Sequence, residues 1–204
     1  MIRWAVIFAL CIGCTPTHPH VWSALPQEPV NTAGVVRVET AATSGSGAVV
    51  MYGRGYWYAA TAAHCALSPD TLEVDGRPAA LANISIANDL AIIRWRSVKK
   101  YPIYPLAHTK VGAKCRLVGY PKIREDTREC RRVVMYGHVT RNMGRWIWTN
   151  TGADFGFSGG PVLDEQNRIV GIMTVVTDAH GHPNFTMARA ANASQVMYLL
   201  ATIP

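Results

Sequence analysis

The sequence predicts an all-β chain made of two β units and one terminal helix, and three observations predict it. Short runs of apolar, β-branched and aromatic residues recur at strand length, separated by turn sequences such as SGSG, GRG and DGR. A stretch with two prolines, KKYPIYPLAHTK, divides these runs into two groups of similar size. Only ANASQVMYLL, near the end, spaces its apolar residues at the helical period. At 204 residues and 49% hydrophobic, the chain can bury a sizeable core and does not have the composition of a disordered segment.

The elements follow in order. Residues 1–14, MIRWAVIFALCIGC, place Arg3 ahead of an apolar run and end in small residues. The run is shorter than the roughly 20 residues a membrane-spanning helix needs, which is the pattern of a secretory signal. Cys14, after Ile12 and Gly13, resembles the lipobox cysteine of bacterial lipoproteins, which becomes the lipidated first residue of the mature protein. Cys11 stands three positions earlier, where that group usually has Leu. Lipidation at Cys14, ordinary cleavage nearby and retention as an uncleaved anchor remain the options, and each takes the body of the chain out of the cytoplasm. Residues 15–31 are Pro-rich without apolar period, as suits a tether.

The folded domain is expected over residues 32–204. Its first unit, about 32–105, contains VVRVE, AVVMYG, YWYAATA, TLEVDG with RPAALA, and DLAIIRW, five or six strands at a density that fits a small antiparallel barrel or sandwich. The second unit, about 110–190, supplies another half-dozen in CRLVGY, CRRVVMYGHVT, RWIWT, PVLDEQNRIVGIMTVV and NFTMAR. No internal sequence repeat links the two; strand count and the position of the break do.

Export permits disulfides. Cys115 and Cys130 lie in strand-like sequence on the two arms of an expected hairpin, so a Cys115–Cys130 bridge is expected and Cys65 is left as a buried unpaired thiol. No cysteine or histidine spacing resembles a zinc site, and neither a metal nor a cofactor is expected. The net charge of +7 is concentrated between Lys110 and Arg145, where ten Lys or Arg meet only Glu125, Asp126 and Glu129. Nothing matches a nucleic-acid-binding fold, so this stretch reads as a solvated face with some attraction for anionic surfaces.

Three short motifs carry the chemistry. His64, in YAATAAHC, follows a strand where the chain leaves its β unit; alone, such a histidine is an ordinary structural residue. Asp89, in ANDLAIIRW, precedes an apolar strand, where a carboxylate can be half buried and accept backbone donors; alone, Asn-Asp is ordinary turn chemistry. Asp70 and Asp75 lie nearer His64 in sequence but read as turn acids in SPD and VDG. Ser158, in GFSGGPV, lies among Gly156, Gly159 and Gly160, whose backbone freedom lets successive N–H groups converge on one spot as an anion-binding concavity. A base, a carboxylate to orient it and a nucleophile, in that order and divided between the two units, are the parts of an acyl-transfer site.

With these residues the chain resembles the trypsin-like serine endopeptidases, specifically the bacterial branch that includes HtrA-type and V8-type proteases. The resemblance runs from about Gly34 to Leu200 and includes SGSGAVV, TAAHC, NDLAII, GHVT, GFSGGP and NRIVGIMT in the family's order. It implies two six-stranded antiparallel β-barrels of the chymotrypsin-like fold with a C-terminal helix. It implies His64 as general base, Asp89 as its orienting group, Ser158 as nucleophile, and the backbone N–H groups of Gly156 and Ser158 as the oxyanion hole. It implies that Thr174, Val175 and Val176 form the edge strand that holds an extended peptide or protein substrate, with Gly152 and the region of Asn184 lining the specificity pocket.

Phe157 departs from the animal digestive members, in which an acid before the serine receives a new N-terminus after zymogen cleavage. A phenyl ring cannot make that ion pair, so the loop is expected to be ordered by packing. Cys65 also lacks its usual upstream partner. Gly152 rather than Asp154 falls where a basic side chain would be read, and Met173 where the glutamate-specific branch has a histidine, so the pocket is expected to prefer a small or apolar residue. His180 and His182 read as solvated residues of a hairpin loop. No peptide-binding module is expected after the terminal helix, and a monomer is expected. Two function classes follow: an exported serine endopeptidase, or a catalytically silent envelope protein that holds peptides or an anionic partner on the same fold.

Overall fold

A computed structural model of the chain describes residues 30–67, 71–121, 132–177 and 187–203. The expected signal, Cys14, Cys130, His180, His182 and Asn184 lie outside the described residues.

Two closed six-stranded antiparallel barrels make up the body. The first contains β1 (Val35–Glu39), β2 (Ser44–Gly53), β3 (Tyr56–Ala62), β4 (Glu73–Val74), β5 (Arg77–Ser85) and β6 (Leu90–Trp95). The second contains β7 (Lys114–Gly119), β8 (Val133–Asn142), β9 (Trp146–Thr149), β10 (Pro161–Leu163), β11 (Ile169–Thr177) and β12 (Met187–Asn192). Around the first barrel the strands run β1-β2-β3-β6-β5-β4, and the second repeats that order from β7 to β12. The duplication unseen in the sequence is present in the topology.

Period-2 alternation explains why β3 and β6 read as almost continuous apolar runs. Tyr58, Ala60, Leu90 and Ile92 face the second barrel, whereas Trp57, Ala59, Ala91, Ile93 and Trp95 fill the interior of the first. Both faces of these strands are buried. Tyr101, on the connection between barrels, closes the first barrel's floor, its ring edge-on to Trp57 and Trp95 at 5.3 and 5.5 Å. Val30 and Asn31, at the end of the expected tether, are already attached: Val30 packs on the inter-barrel core and the Asn31 carbonyl accepts from the Tyr104 hydroxyl.

Helix α2 (Ala193–Ala201) is capped by Asn192, whose side chain accepts from the Ser194 N–H at 3.2 Å. Its Val196 and Leu199 enter the core between the barrels. Although α2 follows the second barrel in sequence, Asn83 and Asn88 of the first barrel donate to Leu199 O and Gln195 Oε1, both at 2.9 Å. The helix therefore fastens the barrels to each other.

The expected Cys115–Cys130 bridge is not made. Cys115 is a free thiol, buried in the interior of the second barrel, where burial pushes its pKa up to about 12. Its cross-strand neighbour is Gly137, and the β7–β8 ladder ends at Gly119 opposite Val133. Cys65 is also a free buried thiol.

Candidate active site

His64 follows β3 directly, in the single helical turn α1 (Ala63–Ala66). Asp89 ends a short 3-10 turn (Ile86–Asn88) in the left-handed region, φ 45°, a conformation that Asp tolerates better than most residues. The two are joined at several points. His64 Nδ1 lies 2.8 Å from Asp89 Oδ2, the His64 N–H donates to Asp89 Oδ1 at 3.0 Å, and the Ala63 N–H donates to the Asp89 carbonyl at 3.1 Å. Backbone and side chain thus fix the carboxylate against one edge of the ring, which leaves Nε2 pointing away from it.

The electrostatics follow from that contact. The hydrogen bond to the Asp89 carboxylate, helped by one to the Cys65 sulfur, outweighs partial burial and pushes the His64 pKa from 6.5 up to about 10. The resting ring is therefore charged near neutral pH and becomes a base only as the pH rises.

Ser158 reaches the same place from the second barrel. Its carbonyl accepts from the Ser46 N–H at 2.7 Å and from the thiol of Cys65, the residue after His64, at 3.7 Å. Among the described residues the Ser158 hydroxyl makes no hydrogen bond with His64. Gly159 has φ +84°, and a Cβ there would overlap Ser46 O and Thr61 Oγ1, so any other residue would push the loop off the first barrel.

Within the Gly156–Gly160 loop the N–H groups divide cleanly. Those of Phe157, Gly159 and Gly160 donate to Asp154 O at 3.2 Å, Met173 O at 2.7 Å and Phe157 O at 2.8 Å. Those of Gly156 and Ser158 have no partner among the described residues. The two unengaged donors are the pair expected to form an oxyanion hole. Phe157 is buried in the core of the second barrel, its ring against Gly119, where an added Cβ would come within 2.7 Å of the ring edge.

Among the described residues, the strand expected to hold substrate has one unpaired side. β12 pairs with β11 as far as Thr177, whereas β10 reaches only Ile172. Thr174 forms a bulge in that ladder and, itself buried, donates its hydroxyl to Arg189 O at 3.2 Å. Beside it, Ala153, Met173, Ala188 and Ala190 are buried, Gly152 adopts φ +64°, and the buried hydroxyls of Thr149 and Thr151 lie 2.9 Å apart. Asp154 is exposed and accepts from the Phe155 N–H at 2.7 Å.

Ser46 has no role legible in the sequence. The fragment SGSGAVV marked its position, but the contact with Gly156 spans 110 residues and has no local signature.

A family model of the trypsin-like peptidase domain matches residues 45–172. No curated protein matches the chain. Among solved structures, a serine endoprotease from Yersinia pestis is similar at a TM-score of 0.67 and 21% identity, over 84% of this chain and 63% of that one. An inactive serine-to-alanine mutant of Rv3671c from M. tuberculosis is similar at 0.68 and 17%, over 88% of this chain and 95% of that one. The HtrA-type protease AlgW, solved with a tripeptide, is similar at 0.68 and 22%, over 84% of this chain and 60% of that one. The chain thus spans less than two thirds of the first and third of these, and at such identities the likeness is one of fold.

Proposed function

This chain belongs to the trypsin-like peptidase family of serine proteases, and on that footing we propose that it is an exported endopeptidase of the HtrA-like branch, working through His64, Asp89 and Ser158. The observation that carries the reading is the clamp of His64 on Asp89 at 2.8 Å beside a loop whose Gly156 and Ser158 N–H groups are left unengaged.

A substrate peptide adds as an extended strand along the open side of Thr174–Val176, and main-chain hydrogen bonds hold it there. The neutral His64 Nε2 takes the Ser158 proton as Oγ attacks the scissile carbonyl carbon. Asp89 keeps the Nδ1 proton in place and stabilises the imidazolium that results. The oxygen of the tetrahedral intermediate receives the N–H groups of Gly156 and Ser158, and removing one such donor typically costs ~10²–10³ in rate. The imidazolium protonates the leaving amine, the C–N bond breaks, and water then hydrolyses the Ser158 ester by the same route in reverse. Small side chains around Gly152, with Ala188 and Ala190, favour a small apolar residue before the cleaved bond. Phe157 orders the loop by burial, so no new N-terminus is required to activate it. A lipid on Cys14, or release after cleavage nearby, would leave a monomeric enzyme at or beyond the cell envelope.

The test is labelling by a fluorophosphonate, together with casein hydrolysis, for the parent and Ser158→Ala. Labelling and hydrolysis by the parent alone support the enzyme. A folded parent that does neither is a silent peptide-binding member of the fold.

A further inference from the structure

Ser46 lies in β2, is fully buried, and belongs to the first barrel, yet each of its hydrogen-bonding groups is engaged around the nucleophile loop or the elements that support it. Its hydroxyl donates to Gly156 O at 2.7 Å and accepts from the Tyr120 N–H at 2.9 Å. Its N–H donates to Ser158 O at 2.7 Å, and its carbonyl accepts from the Thr61 hydroxyl at 2.6 Å. We propose that Ser46 is a positioning residue for the oxyanion hole, its hydroxyl holding the Gly156 peptide so that the Gly156 and Ser158 N–H groups stay aimed at one point. The inference rests on the endopeptidase reading and adds to it the part that replaces an ion pair at the loop.

A peptide unit is planar, so fixing its oxygen fixes the direction of its N–H. Gly156 O is held by the Ser46 hydroxyl, and the N–H of the same peptide plane, on Phe157, is held by Asp154 O. Ser158 O is held by the Ser46 N–H, and the N–H of that plane, on Gly159, by Met173 O. The intervening plane is tied at Phe157 O by Gly160, which leaves the Ser158 N–H directed outward. The plane that presents the Gly156 N–H joins this scaffold through Gly156 itself, at φ +93°. Glycine turns about φ and ψ more freely than any other residue, so holding the carbonyl on the other side of Gly156 limits how far this donor can swing. Ser46 supplies that hold. Its hydroxyl is in turn oriented by Tyr120, whose own hydroxyl donates to Val35 O at 3.2 Å in the first barrel.

The experiment compares the parent with Ser46→Ala and with Ser46→Cys, which keeps the volume but offers only a weak donor. Four readouts are taken: fluorophosphonate labelling rate, kcat and KM on a peptide cleaved by the parent, affinity for the aldehyde of that peptide, and the pH profile. The aldehyde forms a hemiacetal with Ser158 whose oxygen occupies the hole. Expected are a fall in kcat of about 10–100-fold, below or near the ~10²–10³ loss of a donor itself, KM within twofold, a matching fall in aldehyde affinity, and an unmoved acidic limb of the profile. A merely structural role would lower Tm and leave kcat and aldehyde affinity of the folded protein intact. Either variant, folded, with kcat and aldehyde affinity within twofold of the parent would overturn the proposal. If Ser46→Ala does not fold, Ser46→Cys decides. A folded parent that resists the fluorophosphonate overturns the endopeptidase reading instead, before any variant is compared.

Discussion

His64 and Asp89 meet twice, ring to carboxylate at 2.8 Å and backbone N–H to the other carboxylate oxygen at 3.0 Å. One acid therefore sets both where the helical turn begins and which ring nitrogen carries the proton. The same contact raises the His64 pKa to about 10, which gives the site a pH dependence of known sign.

On the proposed mechanism, catalysis needs the neutral ring. Activity of the free enzyme is expected to rise with pH along an acidic limb displaced upward from 6.5 toward about 10. Asp89→Asn removes the leading cause of the displacement, so its limb moves down in pH while its rate falls by about 10⁴-fold through loss of the correct tautomer. Profiles of kcat/KM for the two proteins check this; a parent limb at or below pH 6.5 contradicts it.

The same shift acts on stability. A folded-state pKa above the unfolded value contributes stability that is fully present below pH 6.5 and disappears as the pH approaches about 10. Melting of Ser158→Ala, which on the proposed mechanism cannot digest itself, is expected at a higher Tm than that of Ser158→Ala with Asp89→Asn, and the gap is expected to narrow between those pH values. A gap that widens with pH would reverse the sign of the coupling.

Phe157 supports the loop by burial against Gly119. Phe157→Ala is expected to destabilise the protein by about 3–5 kcal/mol, the usual cost of emptying a buried aromatic site. Phe157→Asp places an unpaired charge in the same core and is expected to prevent stable folding. Denaturant unfolding measures the first, and expression with circular dichroism the second.

Gly45 faces the free thiol of Cys65. A Cβ at position 45 would lie 2.5 Å from Cys65 Sγ and 3.2 Å from its Cβ, a few tenths below the usual Cβ separation of about 3.5–4.5 Å across a disulfide. The same Cβ would lie 2.9 Å from the Ser158 backbone oxygen, so Gly45→Cys is expected to form the bridge only by displacing that carbonyl, and its gain in stability is expected to stay below about 3 kcal/mol. Thiol titration before and after reduction, with Tm, checks it. Bridging also withdraws the sulfur that helps hold the His64 proton, so the acidic limb should move down.

Much of this was legible in the sequence for a physical reason. Strands of the first barrel announce themselves because β3 and β6 are buried on both faces, and the Gly156–Pro161 motif shows because its backbone tolerates only glycine at several positions. The His64–Asp89 pair was readable as order of residues, since their joining needs only that β3 and β6 be neighbours. The Cys115–Cys130 expectation failed because Cys115 faces the barrel interior as a free thiol, and which face a strand cysteine takes depends on a register that composition does not fix. Ser46 passed unnoticed because its partners, Gly156, Ser158 and Tyr120, come from the other barrel, and a serine between glycines looks like any turn.

The most direct test of the central claim is whether His64 and Ser158 react together. A chloromethyl ketone built on the peptide sequence the parent cleaves should bond Ser158 Oγ through its carbonyl carbon and, as chloride leaves, His64 Nε2 through its methylene. Mass spectrometry of digested parent is predicted to find one alkylated site, His64, and to find it at most at trace level in Ser158→Ala. Equal alkylation of His64 in both proteins, or none in a folded parent, would contradict a site assembled from these two residues.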